Sequence, residues 1–190
     1  RVVYGTNNDN DNSGLKAFGY KSFIHPKFDP DSGQNDIAIL QLKEAIRFLY
    51  EYKDNEKSKR FVVNGVCLFD KNHVPNNAIV SGWGQTDQYK DVSNQLLKVR
   101  LPKYDWQKCK DHYKLNNVMI YDYMICYGGG GHKDTCMGDS GGPLIIYKNG
   151  RAYLIGVISF GIPCANKGLP GVYIQVSKFK DWIKNIAELV

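Results

Sequence analysis

The chain has 190 residues, 43% of them hydrophobic and 23% charged, with a formal net charge of +6. That length fits one domain, or two small halves packed as one, and the composition is that of an ordinary globular protein. The longest apolar stretch, Ala152 to Ile162, is too short and too broken to span a bilayer, and no aromatic-interleaved basic stripe accompanies the positive charge. Neither a membrane nor a nucleic-acid partner is expected.

In chain order the first segment, RVVYG, reads as a strand. The following stretch, Asn7 to Gly14, places Asp9, Asp11, Ser13 and Gly14 like the opening of an EF-hand loop. Its twelfth position is Tyr20, where a bidentate glutamate is required. A polar turn is expected instead. Strand patterns continue through GYKSFIH, DIAILQL and RFVVNGVCLF. The densest basic run, Lys57 to Arg60, falls in a polar stretch and is read as a loop, with polysaccharide as its only candidate ligand. Leu68 to Asn77 is polar, contains a proline, and is expected to cross between two β halves.

AIVSGWG, NQLLKVRLP, YMICYG, GPLIIYK, AYLIGVISFG and GVYIQV complete the strand candidates. Runs about ten residues apart with Gly, Asn, Asp and Pro breaks predict an antiparallel barrel or sandwich. At the C-terminus Phe179, Trp182, Ile183, Ile186 and Val190 follow helical spacing. Ser177 is placed to cap a short amphipathic helix there.

Five cysteines, Cys67, Cys109, Cys126, Cys136 and Cys164, form no C-x-x-C pair, so a zinc or redox site is not expected. Scattered cysteines in a loop-rich chain point to disulfides and an oxidising compartment. The odd number leaves at least one free or paired outside the chain.

The string GDSGGPL, Gly138 to Leu144, surrounds Ser140 with glycines. Acyl transfer needs a nucleophile, a base, a group orienting the base, and donors for the developing oxyanion. Glycine lets the backbone turn tightly, so the N–H groups of Gly138 and Ser140 can be aimed at one point.

This string resembles the nucleophile motif of the chymotrypsin-like (trypsin family) serine endopeptidases. FIHPKF, NDIAIL, VSGWGQT, KDTCMGDSGGPL, VISFG and PGVYIQV agree with the family in the same order, over essentially the whole chain. The resemblance implies an all-β fold of two six-stranded antiparallel barrels and a C-terminal helix, with the first barrel incomplete. Residues 1–66 would be the remainder of the first barrel, 67–77 the crossing, 78–176 the second barrel and 177–190 the helix. It implies Ser140 as nucleophile, Asp36 as the carboxylate that orients the base, and Gly138 and Ser140 as the oxyanion hole. Asp139 matches the partner of the α-amino group freed by zymogen cleavage. Asp134 matches the floor of the primary specificity pocket, with Ser159, Phe160, Gly161 and Gly171 lining it; Phe160 stands where tryptophan is usual.

Cys109 with Cys126, and Cys136 with Cys164, match two family bridges, and a further one is absent because Ala78 and the region of Ile145 hold no cysteine. Cys67 matches a position that ties the catalytic chain to an upstream light chain or propeptide. No cofactor is expected, and YGTNN lacks the acidic residue with which the family's calcium loop begins. The family's base lies in a His-Cys pair upstream of the aspartate. None of His25, His73, His112 and His132 stands in such a pair. The chain is therefore expected to begin partway through the domain, as a fragment or one segment of a nicked protease.

The function implied is a secreted, zymogen-derived endopeptidase cutting after Arg or Lys. Its partners would be protein substrates and proteinaceous inhibitors. The alternative is a non-catalytic homologue serving as a binding or cofactor module.

Overall fold

The computed structural model describes residues 1–9, 14–52, 59–86, 91–131, 134–161 and 166–188. Asp11, Ser13, Lys57, His132 and Cys164 lie outside them, as does Val190.

The first third of the chain makes three separate antiparallel strand pairs. β1 (Val2–Tyr4) pairs with β2 (Leu15–Ala17), β3 (Gly19–Ile24) with β4 (Ala38–Leu42), and β5 (Leu49–Tyr52) with β6 (Lys59–Val63). Large apolar side chains of these pairs stay exposed, among them Tyr20, Ile24, Leu40 and Tyr50.

The remainder builds one sheet from β8 (Asn77–Gly82), β9 (Leu97–Pro102), β10 (Met124–Gly128), β11 (Pro143–Lys148), β12 (Arg151–Phe160) and β13 (Pro170–Gln175). Their order is β10-β13-β12-β11-β8-β9, antiparallel throughout. The residue after β9, Lys103, bridges Tyr127 of β10, and the Tyr104 N–H donates to the Cys126 carbonyl at 2.8 Å. The outer strands of the order thus meet, and the six strands curl into a barrel. With a C-terminal helix beside it, this fits the all-β, trypsin-like two-barrel architecture, with one barrel closed and three separate strand pairs in place of the other.

Alternation decides what fills the barrel. Ala78 and Val80 of β8, Leu144 and Ile146 of β11, and Tyr127 and Tyr173 from the adjacent strands β10 and β13 point into one cluster, with Leu101, Ile155 and Ile158. The buried tyrosines need partners for their hydroxyls: that of Tyr127 donates to the Pro75 carbonyl at 2.6 Å. A second cluster lies outside the barrel. It gathers Cys109 and Tyr113 of α1 (Trp106–Lys114), Met124 and Cys126 of β10, Val172 and Ile174 of β13, Phe179, and Ile37 from the first half. A disulfide joins Cys109 to Cys126 and fastens α1 to β10.

Several sequence expectations are corrected. RFVVNGVCLF is not one strand; it breaks after Val63, and β7 (Cys67–Leu68) pairs with β12 in parallel, an exception to the antiparallel rule. Lys59 and Arg60 are not loop residues but open β6. Ser177 caps no helix. It is buried in a 3₁₀ turn, Val176–Phe179, where its hydroxyl accepts from the Gln175 amide at 2.9 Å; α2 (Lys180–Glu188) starts after that turn. β2, β5 and α1 were not foreseen. Helix α1 is capped by Asp105, whose carboxylate accepts from the Lys108 N–H at 2.8 Å. It buries only Cys109 and Tyr113, so its apolar stripe is narrow.

Leu144 is 0% exposed inside the barrel, whereas Leu115, just past α1, is 83% exposed. Leu144→Ala is expected to cost about 2–5 kcal/mol through lost burial and the cavity left behind, and Leu115→Ala no more than about 0.5 kcal/mol. Urea unfolding of the two variants beside the parent, followed by tryptophan fluorescence, measures the difference.

Candidate active site

Asp36 stands between two anchored neighbours. Asn35 adopts a left-handed conformation (φ 52°), and its N–H donates to the Tyr123 hydroxyl at 3.2 Å. Ile37 is buried in the outer cluster, and its carbonyl accepts from the His25 N–H at 3.1 Å. The carboxylate between them is half-buried, and Ser159 donates its hydroxyl to it at 2.7 Å across 123 residues of sequence. A carboxylate leaving water needs such a donor, and a hydrogen bond to a charged group is worth about 1.5–3 kcal/mol.

Ser140 sits on a tight turn that is pinned to the same strand as Ser159. The Gly141 N–H donates to the Ile158 carbonyl at 2.8 Å, the Ile158 N–H to the Gly142 carbonyl at 2.9 Å, and the Gly142 N–H to the Asp139 carbonyl at 2.9 Å. Ser140 is exposed at the top of this turn. Gly138 takes φ +95°, a value costly for any residue with a Cβ. Among the described residues the N–H groups of Gly138 and Ser140 donate to no protein acceptor.

Asp139 points the other way, into the body. Its two oxygens accept from the Gly84 N–H at 2.8 Å and the Cys136 N–H at 3.0 Å. A Cβ on Gly82 or Gly84 would overlap the Asp139 carboxylate, so two glycines of SGWG leave the space it fills. The carboxylate thereby ties the turn of Ser140 to the end of β8.

Beside this turn the end of β12 runs next to β13, with Phe160 paired to Val172. Gly161 and Gly171 lie close together: among the described residues a Cβ on Gly161 would meet the Gly171 Cα alone, at 3.9 Å. A Cβ on Gly171 would approach the Thr135 and Tyr173 hydroxyls at 3.0 Å and Asp134 Oδ1 at 3.2 Å. Those three side chains therefore converge on the space Gly171 leaves. The Thr135 N–H donates to Asp134 Oδ1 at 2.9 Å, and the Tyr173 and Thr135 hydroxyls lie 3.4 Å apart. Burial foremost, and the charges of Asp134 and Asp139 in addition, push the Tyr173 phenol well above its usual pKa, so it remains a neutral hydrogen-bonding group. Phe160 packs edge-on against Tyr113, whose hydroxyl donates to the Pro170 carbonyl at 2.7 Å.

Cys136 is disulfide-bonded; Cys164, its expected partner, lies outside the described residues. Cys67 is a free, half-buried thiol. Two of the described histidines, His25 and His112, are engaged elsewhere. His25 packs edge-on between Phe179 and Trp182, with centroids 5.3 and 5.1 Å away; burial, then the charge of Lys27, lowers its pKa. His112 bonds through Nδ1 to the Gly168 carbonyl. His73 is exposed. Among the described residues no histidine is hydrogen-bonded to Ser140 or Asp36.

Sequence reasoning overlooked Thr135, Tyr173, Gly82 and Gly84. Tyr173 carried a signal: two positions after Gly171 on one strand, it must share that glycine's face. The two glycines carried none, because the carboxylate they accommodate is 55 residues away.

A family model described as trypsin matches residues 1–183. The chain is 39% identical over 166 residues to trypsin-1 of Astacus astacus, covering 86% of itself and 65% of that protein. It is 35% identical over 193 residues to the clotting factor G beta subunit of Tachypleus tridentatus, covering 94% of itself and 58% of the relative. To the venom peptide isomerase heavy chain of Agelenopsis aperta it is 36% identical over 170 residues, covering 86% and 65%. The chain thus spans about two thirds or less of each.

Gly84→Ala is expected to drive Asp139 from its seat, because a methyl group there overlaps the carboxylate. The turn of Ser140 loses its tie to β8, at a cost of about 1–3 kcal/mol for an overpacked position. A crystal structure of the variant showing Asp139 unmoved and both its amide bonds intact contradicts this.

Proposed function

The chain belongs to the trypsin family, and on that premise we propose that it forms part of a serine endopeptidase that cuts after Arg or Lys through an acyl-enzyme on Ser140. The observation that carries this reading is the short structural link between Ser140 and Asp36. The serine turn is bonded to Ile158, and the next residue, Ser159, holds the carboxylate.

The roles follow from chemistry. The Ser140 hydroxyl attacks the scissile carbonyl and its proton passes to a base. Asp36 orients that base and stabilises it once protonated. By the family resemblance the base is a histidine supplied from outside residues 1–190. The exposed apolar faces of β3–β6 favour the same view, since three separate strand pairs bury little of their own surface. The division at 66/67, 77/78 and 176/177 belongs to this reading. The unengaged N–H groups of Gly138 and Ser140 are the oxyanion donors.

Asp134 is the charge at the base of the specificity cleft. A long cationic side chain runs along Gly161 and Gly171, which carry no side chain to block it, with Ser159 and Phe160 on the adjoining wall. Guanidinium makes a two-pronged contact, while an ammonium makes single bonds or reaches through water. Thr135 and Tyr173 offer oxygens alongside. Asp139, held by two amides, sets the Ser140 turn and would also receive an α-amino group in an activated enzyme. A second bridge, Cys136–Cys164, braces the cleft wall. Secretion as a zymogen fits the disulfides, and protein substrates and proteinaceous inhibitors are the partners.

In the full natural protein, a fluorophosphonate should label Ser140 and a peptide library should report cuts after Arg and Lys. Removing the charge with Asp134→Ser breaks a buried pair at a cost of about 3–5 kcal/mol, or roughly 10²–10⁴-fold in kcat/KM on those substrates. Cuts after Phe or Leu should change far less. Cleavage by the unmutated enzyme after Phe or Leu as readily as after Arg sinks the pocket assignment.

Cys67 is the attachment point for an upstream chain. It lies on the short strand β7 at the margin of the sheet, free and half-buried. Two of the relatives are named as one chain of a larger protein, a heavy chain and a beta subunit. Electrophoresis of the activated natural protein with and without reductant should show a mass shift that Cys67→Ser abolishes. A titratable thiol at Cys67 with no shift overturns the assignment.

A further inference from the structure

β8 and β11 run side by side only briefly. They pair at Val80 with Leu144 and at Ile79 with Ile145, and the ladder between them stops there. Beyond that point Asn77 and Ala78 pair with β9, whereas Ile146, Tyr147 and Lys148 pair with β12. The two strands therefore splay. No cysteine stands at Ala78 or near Ile145 to staple them. The gap is an open groove of about 300 Å³. Its lining is apolar where the strands part, with Ile79, Ile145 and Tyr147, and it ends in Arg100 on one side and Lys148 on the other.

Two cations, Arg100 and Lys148, line the groove together with the uncharged Pro75 and Asn77. Lys98 lies two residues before Arg100 on the same face of β9, and Arg151 is the register partner of Lys148. Among the described residues Arg100 and Lys148 make no ion pair. Tyr147 is 67% exposed, a large aromatic surface beside two unpaired cations. A gap between two strand edges is suited to an extended backbone, whose alternate side chains enter the pockets beneath it. Apolar residues at the base select a large apolar side chain, and the rim selects carboxylates around it.

We propose that this groove binds an extended acidic peptide segment of a partner protein that carries leucine or an aromatic residue among glutamates or aspartates. The groove is built from β8, β9 and β11 and contains none of the residues assigned to peptide cleavage, so the proposal stands whether or not Ser140 is a nucleophile.

The test uses the full natural protein and a fluorescein-labelled peptide alternating glutamate with leucine and tryptophan, followed by fluorescence anisotropy. Saturable binding that weakens with salt is expected. Replacing either the glutamates or the apolar residues of the peptide by serine should weaken it at least about tenfold. The double variant Arg100→Glu/Lys148→Glu should lose a similar factor, and Tyr147→Ser should weaken binding as well. All three positions are exposed, and circular dichroism checks that the variants remain folded. Three results overturn the proposal: no saturable binding below about 1 mM, affinity unchanged in the double variant, or full affinity kept by the peptide stripped of apolar side chains. The last, with displacement by heparin and indifference to Tyr147→Ser, would make the face a plain polyanion patch.

Discussion

The bond between the Ser159 hydroxyl and the Asp36 carboxylate is the constraint on which the arrangement of the site rests. It joins the end of β12 to a loop 123 residues earlier. A half-buried carboxylate cannot be left without donors, because the lost hydration would not be replaced. The packing around it is arranged accordingly. Ile37 enters the outer cluster on one side, and the Asn35 N–H reaches Tyr123 on the other, so the loop can hardly shift without exposing apolar surface. The position of Asp36 is thus decided mainly by the second barrel, although the residue belongs to the first half of the chain.

The same economy recurs at Asp139 and Asp134. Each of the three carboxylates near the Ser140 turn is met by fixed donors: a hydroxyl for Asp36, two amides for Asp139, and the Thr135 amide for Asp134. Fixed donors cost no reorganisation when charge develops nearby, which is what a site for ionic intermediates requires. The glycines serve close approach as much as turning. Gly82 and Gly84 leave the volume that Asp139 fills, and Gly171 leaves the volume on which Asp134, Thr135 and Tyr173 converge.

The two halves of the chain are unequal in what they bury. The second closes six strands around Leu101, Leu144 and Tyr173 and fastens α1 outside with a disulfide. The first is three strand pairs with apolar faces still exposed. Local opening is cheapest where few apolar contacts would be lost, so the closed barrel is the rigid frame and the first half follows it. The proposed peptide chemistry and the proposed peptide groove lie on different parts of that frame. One uses the turn after Cys136 and the ends of β12 and β13; the other uses the gap where β8 and β11 part.

The sequence by itself determined most of the strands and the family, and it singled out Asp36, Asp134, Asp139 and Ser159 as candidates around Ser140, but not Thr135 or Tyr173. Period-two alternation in segments such as AIVSG and GPLIIYK is local information, and a string as specific as GDSGGPL marks a turn by its own composition. What only the tertiary structure decided was partnership. Ser159 could be read as a wall residue but not as the donor to Asp36, because the two meet only when β12 is laid against the first half. SGWG could be read as a strand end but not as the cradle of Asp139. Helix α1 was invisible because its stability comes from Cys109 and Tyr113 packing on β10 and β13 rather than from a broad apolar face. Ser177 had the chemistry of a cap, yet the turn after β13 buried it against Gln175. The groove was likewise absent from any pattern in the chain, since it exists where two strands distant in sequence stop pairing. Local propensity and spacing act over a few residues, whereas burial and hydrogen-bond satisfaction are settled by whatever segment the fold brings alongside.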